Sequence, residues 1–81
     1  MRAEIYSKEN CIFCVKAKDL LTKRGIAFDE ISAVEFRDVL IERVTRASGA
    51  APKTVPQIFI DSEYVGGYDQ LVQWSFKAAT A

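Results

Sequence analysis

Cysteine occurs twice in these 81 residues, at positions 11 and 14, and the place where the pair falls constrains the fold more than any other feature. Before it, residues 2–7 carry Ala3, Ile5 and Tyr6, with Ile5 flanked by polar or mixed positions, the short extended pattern of a strand. After it, Phe13, Ala17, Leu20 and Leu21 share one face at helical spacing while Lys16, Lys18, Asp19 and Lys23 face water, so a helix covers 12–24. The cysteines therefore stand where an extended segment turns into a helix.

That junction suits sulfur chemistry. A thiolate at a helix start faces unpaired backbone N–H groups and the positive end of the macrodipole, which favours the charged, nucleophilic form. Cys11 is placed to be that nucleophile, and Cys14, one turn further in, can reach the same sulfur and close a small disulfide. The dipole supplies about 0.3 to 1 kcal/mol at an exposed helix end and up to ~2 kcal/mol when partly buried. A fully formed thiolate needs more, from N–H bonds to the sulfur or from a cation, and Lys8 is the candidate. The chain has no histidine, which excludes protease-like Cys/His catalysis. Two cysteines without histidine also fall short of the four ligands of a closed zinc site, so no metal is expected.

Composition narrows the class. Residues 1–81 are short enough for one domain, and 49% apolar with 11% aromatic side chains argues against disorder. Eleven basic and eleven acidic residues cancel, which removes the electrostatic warrant for nucleic acid or an anionic membrane surface. No apolar run approaches the ~20 residues that span a bilayer, and the N-terminus lacks the h-region of a signal peptide. A cytoplasmic monomer is expected, and in a reducing compartment two close cysteines are more often redox-active or metal-bound than structural.

Further along, Gly25 supplies a residue able to end the first helix at positive φ. Residues 26–31 read as a second strand, and 34–48 as a second helix with Phe36, Val39, Leu40, Val44 and Ala47 at helical spacing, ended by Gly49. This rhythm argues for a βαβ unit with parallel pairing. A loop over 49–56 leads into Gln57-Ile58-Phe59-Ile60, an apolar run short enough to be a buried strand. Asp61-Ser62-Glu63 reads as a turn and Tyr64-Val65 as a returning strand ending at Gly66-Gly67. A closing helix then places Leu71, Trp74, Ser75 and Ala78 on one face, with Tyr68 or Asp69 as its N-cap.

The order βαβαββα with Cys-x-x-Cys at the first helix start resembles the thioredoxin fold, an α/β architecture with a four-stranded mixed sheet and three helices. Three motifs sharpen the resemblance to glutaredoxin: Ser7-Lys8-Glu9-Asn10-Cys11-Ile12-Phe13-Cys14, Thr54-Val55-Pro56-Gln57-Ile58-Phe59-Ile60 and Gly66-Gly67-Tyr68-Asp69-Gln70-Leu71. They follow the family's order and spacing along essentially the whole chain. The resemblance implies a glutathione-dependent thiol–disulfide oxidoreductase in which Cys11 takes up glutathione from mixed disulfides and Cys14 resolves protein disulfides. It implies that Pro56 is cis and sets Val55, with Thr54 beside it, extended for main-chain pairing with glutathione. Lys8 then attracts the glycyl carboxylate, Phe13 walls the pocket, Gly67 and Tyr68 approach the glutamyl end, and Asp69 meets the glutamyl ammonium or caps the last helix.

The sequence departs from the family pattern in places. Ile12 and Phe13 stand where Pro and Tyr are common, Tyr68 where a small residue or cysteine is common, and Gln70 where a second acid often follows the glycines. Implied partners are glutathione and disulfide-containing proteins such as ribonucleotide reductase. Two alternatives carry the same scaffold: a thioredoxin-reductase-driven redoxin serving ribonucleotide reductase, and a carrier whose iron–sulfur cluster is held by Cys11 and glutathione from two subunits.

Overall fold

The computed structural model describes residues 1–74, which form β1 (Arg2–Ser7), α1 (Ile12–Lys23), β2 (Ala27–Ser32), α2 (Arg37–Ser48), β3 (Gln57–Ile60), β4 (Glu63–Gly66) and α3 (Tyr68–Gln73). The strands make one mixed sheet in the order β2-β1-β3-β4. β1 pairs in parallel with β2, from Arg2↔Ala27 to Ser7↔Ser32, and antiparallel with β3, from Ala3↔Ile60 to Tyr6↔Gln57. The thioredoxin-like α/β architecture expected from the sequence is therefore the one adopted. Ser75 and Ala78, which the helical pattern assigns to the closing helix, lie outside the described residues.

Successive side chains of a strand point to opposite faces, and both faces of this sheet are covered. Ala3 and Ile5 of β1 and Ile58 and Ile60 of β3 enter one buried cluster with Ala17 and Leu21 of α1 and Leu71 of α3. Tyr6 and Phe59 enter the other, with Leu40 and Val44 of α2. This is why β3 shows an unbroken apolar run rather than alternation: Gln57 through Ile60 are all buried.

Local signals place the ends of these elements. α1 closes in a Schellman motif, with Gly25 (φ 71°) donating to Thr22 O and Ile26 N to Leu21 O, while Ile26 and Leu21 pack in the same cluster. Ile26 is thereby used as part of the helix stop, and β2 begins one residue later than its pattern suggests. The β3–β4 hairpin turns on Asp61 and Ser62, both at positive φ (50° and 68°), so Glu63 belongs to the strand rather than to the turn. Asp61 tolerates that conformation while its Oδ1 accepts the Arg2 amide at 2.9 Å.

The second helix departs most from its pattern. Ser32 Oγ accepts the Glu35 amide at 3.1 Å and Ser32 O accepts the Phe36 amide at 3.0 Å, which folds 33–36 into a turn and delays α2 to Arg37. Of the five apolar positions at helical spacing, only Leu40 and Val44 are buried; Phe36, Val39 and Ala47 are exposed. Arg43 completes the contact instead. Its guanidinium donates to both Glu4 carboxylate oxygens (3.0 and 3.1 Å) and to the Tyr6 hydroxyl (2.9 Å), and lies 3.9 Å from the centre of the Phe59 ring.

Candidate functional site

The two cysteines, both free, begin α1. Asn10 (φ 57°) turns the chain out of the loop, and Cys11 is the N-cap with extended backbone (φ −113°, ψ 106°). Its Sγ accepts the Cys14 amide at 3.2 Å, the role that a serine or aspartate oxygen has at other helix starts, and its carbonyl accepts the Val15 amide. The Cys11 thiol also donates to Val55 O at 3.8 Å, which links the sulfur to the loop ahead of β3.

Cys14 is different in kind. It is 1% exposed, and burial, followed by its hydrogen bond with Cys11, pushes its thiol up to about 11, while the Lys8 amide and the Lys18 charge act in the opposite sense. One thiol is therefore reachable and bonded by a backbone N–H, and the other is held protonated behind it. This division suits a first attack by Cys11 and a second by Cys14.

Next to the Val55 carbonyl that the Cys11 thiol reaches, the loop and the third helix form a cleft of about 330 Å³. It is lined by Phe13, Thr54, Val55, Pro56, Gly67, Tyr68 and Asp69, which are seven of the eight residues expected to meet glutathione, and also by Gln70. The Val55–Pro56 bond is cis, as the resemblance implies. Phe13 is 52% exposed and its ring sits 5.8 Å from that of Tyr68, so it belongs to the cleft wall and not to the core-facing stripe suggested by its spacing. Lys8 stands apart from this cleft. It lines an adjoining one of about 310 Å³ that shares Thr54 and Val55 and adds Arg37 and Lys53. It also borders a third opening, of about 640 Å³, where both cysteines, Lys18 and Glu30 meet.

The third helix corrects one expectation. Its N-cap is Gly67, in extended conformation, and neither Tyr68 nor Asp69. Gln70 Oε1 accepts the Gly67 amide at 2.9 Å, so the glutamine that departs from the family pattern occupies a backbone donor expected to face a ligand. A Cβ on Gly67 would meet Gln70 Oε1 at 3.3 Å and Pro56 O at 3.5 Å, which explains the small residue there. Asp69, freed from capping, makes no hydrogen bond or ion pair among the described residues, and lines the cleft.

Arg37 and Lys53 were not picked out by sequence. Lys53 directly precedes the Thr54-Val55-Pro56 motif, which is a usable signal. Arg37 is the first residue of a helix that the pattern starts three residues too early, and it carries none.

The glutaredoxin family profile matches residues 3–65. The chain belongs to the glutaredoxin family. Like other glutaredoxins, whose cysteine pair carries out thiol–disulfide exchange, it has the thioredoxin fold. It is 43% identical over 68 residues to glutaredoxin 3 of Escherichia coli, covering 84% of this chain and 78% of that one. It is also 43% identical over 67 residues to glutaredoxin 1 of Rickettsia conorii, covering 83% of this chain but only 65% of the relative's length. Among solved structures it is similar to glutaredoxin 1 of Francisella tularensis in complex with cacodylate, with a TM-score of 0.75, 32% identity, and coverage of 99% of this chain and 98% of that one. A buckwheat glutaredoxin solved as a glutathione complex matches with a TM-score of 0.70 and 25% identity, over 88% of this chain and 64% of that one.

Proposed function

We propose that this glutaredoxin is a cytoplasmic, glutathione-dependent thiol–disulfide oxidoreductase that reduces glutathione mixed disulfides and protein disulfides. The observation that carries this reading is the cleft lined by Thr54, Val55, cis-Pro56, Phe13, Gly67, Tyr68 and Asp69, whose Val55 carbonyl the Cys11 thiol reaches at 3.8 Å. Its shape suits a tripeptide laid along the loop, and the buckwheat relative was solved with glutathione.

In the monothiol reaction the Cys11 thiolate attacks the glutathione sulfur of a mixed disulfide. A Cys11–glutathione disulfide forms, the substrate S–S bond breaks, and the substrate leaves as a thiolate that takes up a proton. A second glutathione thiolate then attacks the glutathionyl sulfur, giving glutathione disulfide and free Cys11. In the dithiol reaction Cys11 attacks a protein disulfide, and Cys14 gives up its proton and attacks the Cys11 sulfur. The Cys11–Cys14 disulfide forms as the second substrate thiol is released, and glutathione reduces it.

Charge assigns the ends of the tripeptide. Lys8, with Arg37 and Lys53 lining the adjoining cleft, offers three cations to the glycyl carboxylate. Asp69 offers a carboxylate to the glutamyl ammonium at the other end. The test is steady-state turnover of a small glutathione mixed disulfide with Lys8→Ala and Asp69→Asn: each should raise KM several-fold with little change in kcat, because each removes binding common to ground and transition states. Unchanged KM in both returns these residues to the solvated surface.

A further inference from the structure

The loop that walls the cleft has few attachments. Among the described residues, 51–56 receives its hydrogen bonds from two side chains: Gln57 Nε2 donates to Thr54 O at 2.8 Å, and the Cys11 thiol donates to Val55 O at 3.8 Å. The second bond depends on the proton of the reacting sulfur. Once Cys11 ionises or enters a disulfide it has no proton to donate, and the bond to Val55 O is lost at the stage when the loop must hold the substrate.

Gln57 is built to remain. It is 4% exposed at the start of β3, with its Oε1 accepting from the Tyr64 hydroxyl at 2.6 Å across the hairpin. Tyr64 in turn packs its ring 5.2 Å from that of Phe59, in the cluster beneath α2. Burial pushes the Tyr64 phenol up from its ordinary value, so it stays a donor over the pH range in which thiols react. The chain Tyr64–Gln57–Thr54 thus runs from the core to the loop without touching either cysteine. A buried amide with both ends bonded is held in one orientation, since breaking either bond strands a polar group.

Resting on the glutathione reading above, we propose that Gln57, oriented by Tyr64, is the positioning residue that keeps Thr54 and Val55 in place for glutathione after the Cys11 sulfur has reacted. Gln57→Glu tests this with almost no change in shape: the carboxylate still accepts from Tyr64 but no longer donates to Thr54 O. Tyr64→Phe removes the other bond and leaves the ring packing intact. For a small glutathione mixed disulfide, Gln57→Glu should raise KM about tenfold, as expected for a lost hydrogen bond that strands a carbonyl, with kcat within about twofold. Tyr64→Phe should shift KM the same way by a smaller factor, and the double variant should show less than the product of the two.

A readout independent of glutathione separates the two proposals. In a Cys14→Ser background with Cys11 blocked by a methylthio group, backbone NMR order parameters at Thr54 and Val55 should stay near ~0.85 with Gln57 and fall below ~0.6 in Gln57→Glu. Equal order parameters in both proteins overturn the positioning role whatever the turnover shows. Absence of wild-type turnover with retained loop order would instead overturn the glutathione reading alone.

Discussion

Cys11 and Cys14 share one helical turn yet have opposite environments, and this difference predicts their separate behaviour. Cys11→Ser should abolish all transfer. Cys14→Ser should keep activity on glutathione mixed disulfides and lose it on protein disulfides, and retained turnover in Cys11→Ser would mean that the nucleophile lies elsewhere. Because burial holds the Cys14 thiol up to about 11, only a small fraction is thiolate at neutral pH. Closure of the Cys11–Cys14 disulfide from a Cys11 mixed disulfide should therefore accelerate about tenfold per pH unit between roughly pH 7 and 9. Stopped-flow trapping of the mixed disulfide measures this, and a flat profile contradicts it. That Cys11 stands at a helix start and Cys14 within its first turn was legible in the sequence, because these are local features. The strength of the Cys14 effect was not, since it depends on how completely α1 packs against the sheet.

At the scale of elements, the turn joining β4 to α3 is the tightest point near the cleft. Gly66 sits at φ 120°, and a Cβ there would lie 2.9 Å from Gln70 Cγ, whereas Gly25 at φ 71° has nothing within 4 Å of such a Cβ. Gly66→Ala should cost more stability than Gly25→Ala, roughly 2–4 kcal/mol against about 1 kcal/mol, because it adds a clash to the same left-handed penalty. Urea titration of both variants gives the comparison, and equal midpoints would contradict it. Most elements were readable from period and punctuation: Gly25 and Gly49 stop their helices, and the buried run 57–60 is a strand. The start of α2 was not. Val34 and Phe36 fit helical spacing, but Ser32 bonds the amides after it and turns the chain first. The Gln57 brace was equally hidden, because it joins a side chain to a carbonyl three residues back and to a hydroxyl on the next strand.

For the whole molecule, two apolar layers on one sheet hold the cysteines over the loop, and the protonation of Cys14 is coupled to that packing. The folded state keeps on Cys14 a proton that the unfolded chain releases near 9.0. Its contribution is thus fully present below about pH 9 and is lost as pH rises through about 11. The reduced wild-type protein should lose more stability between pH 8 and 10.5 than Cys14→Ser does, measured as the difference in urea midpoints; parallel losses would contradict a buried, protonated Cys14. The candidate site as a whole was legible only in part. Three sequence motifs fold together into one cleft, but Lys8 joins Arg37 and Lys53 in the neighbouring cleft through contacts between segments far apart in the chain.

The central claim is that the cleft beside Cys11 serves glutathione. The most direct measurement is turnover of a small glutathione mixed disulfide by the reduced protein, run once with glutathione and glutathione reductase and once with thioredoxin reductase. Activity with the glutathione system alone is the predicted result. Activity with thioredoxin reductase alone would keep the fold and the cysteine roles, and would contradict the assignment of Lys8, Tyr68 and Asp69 to a bound tripeptide.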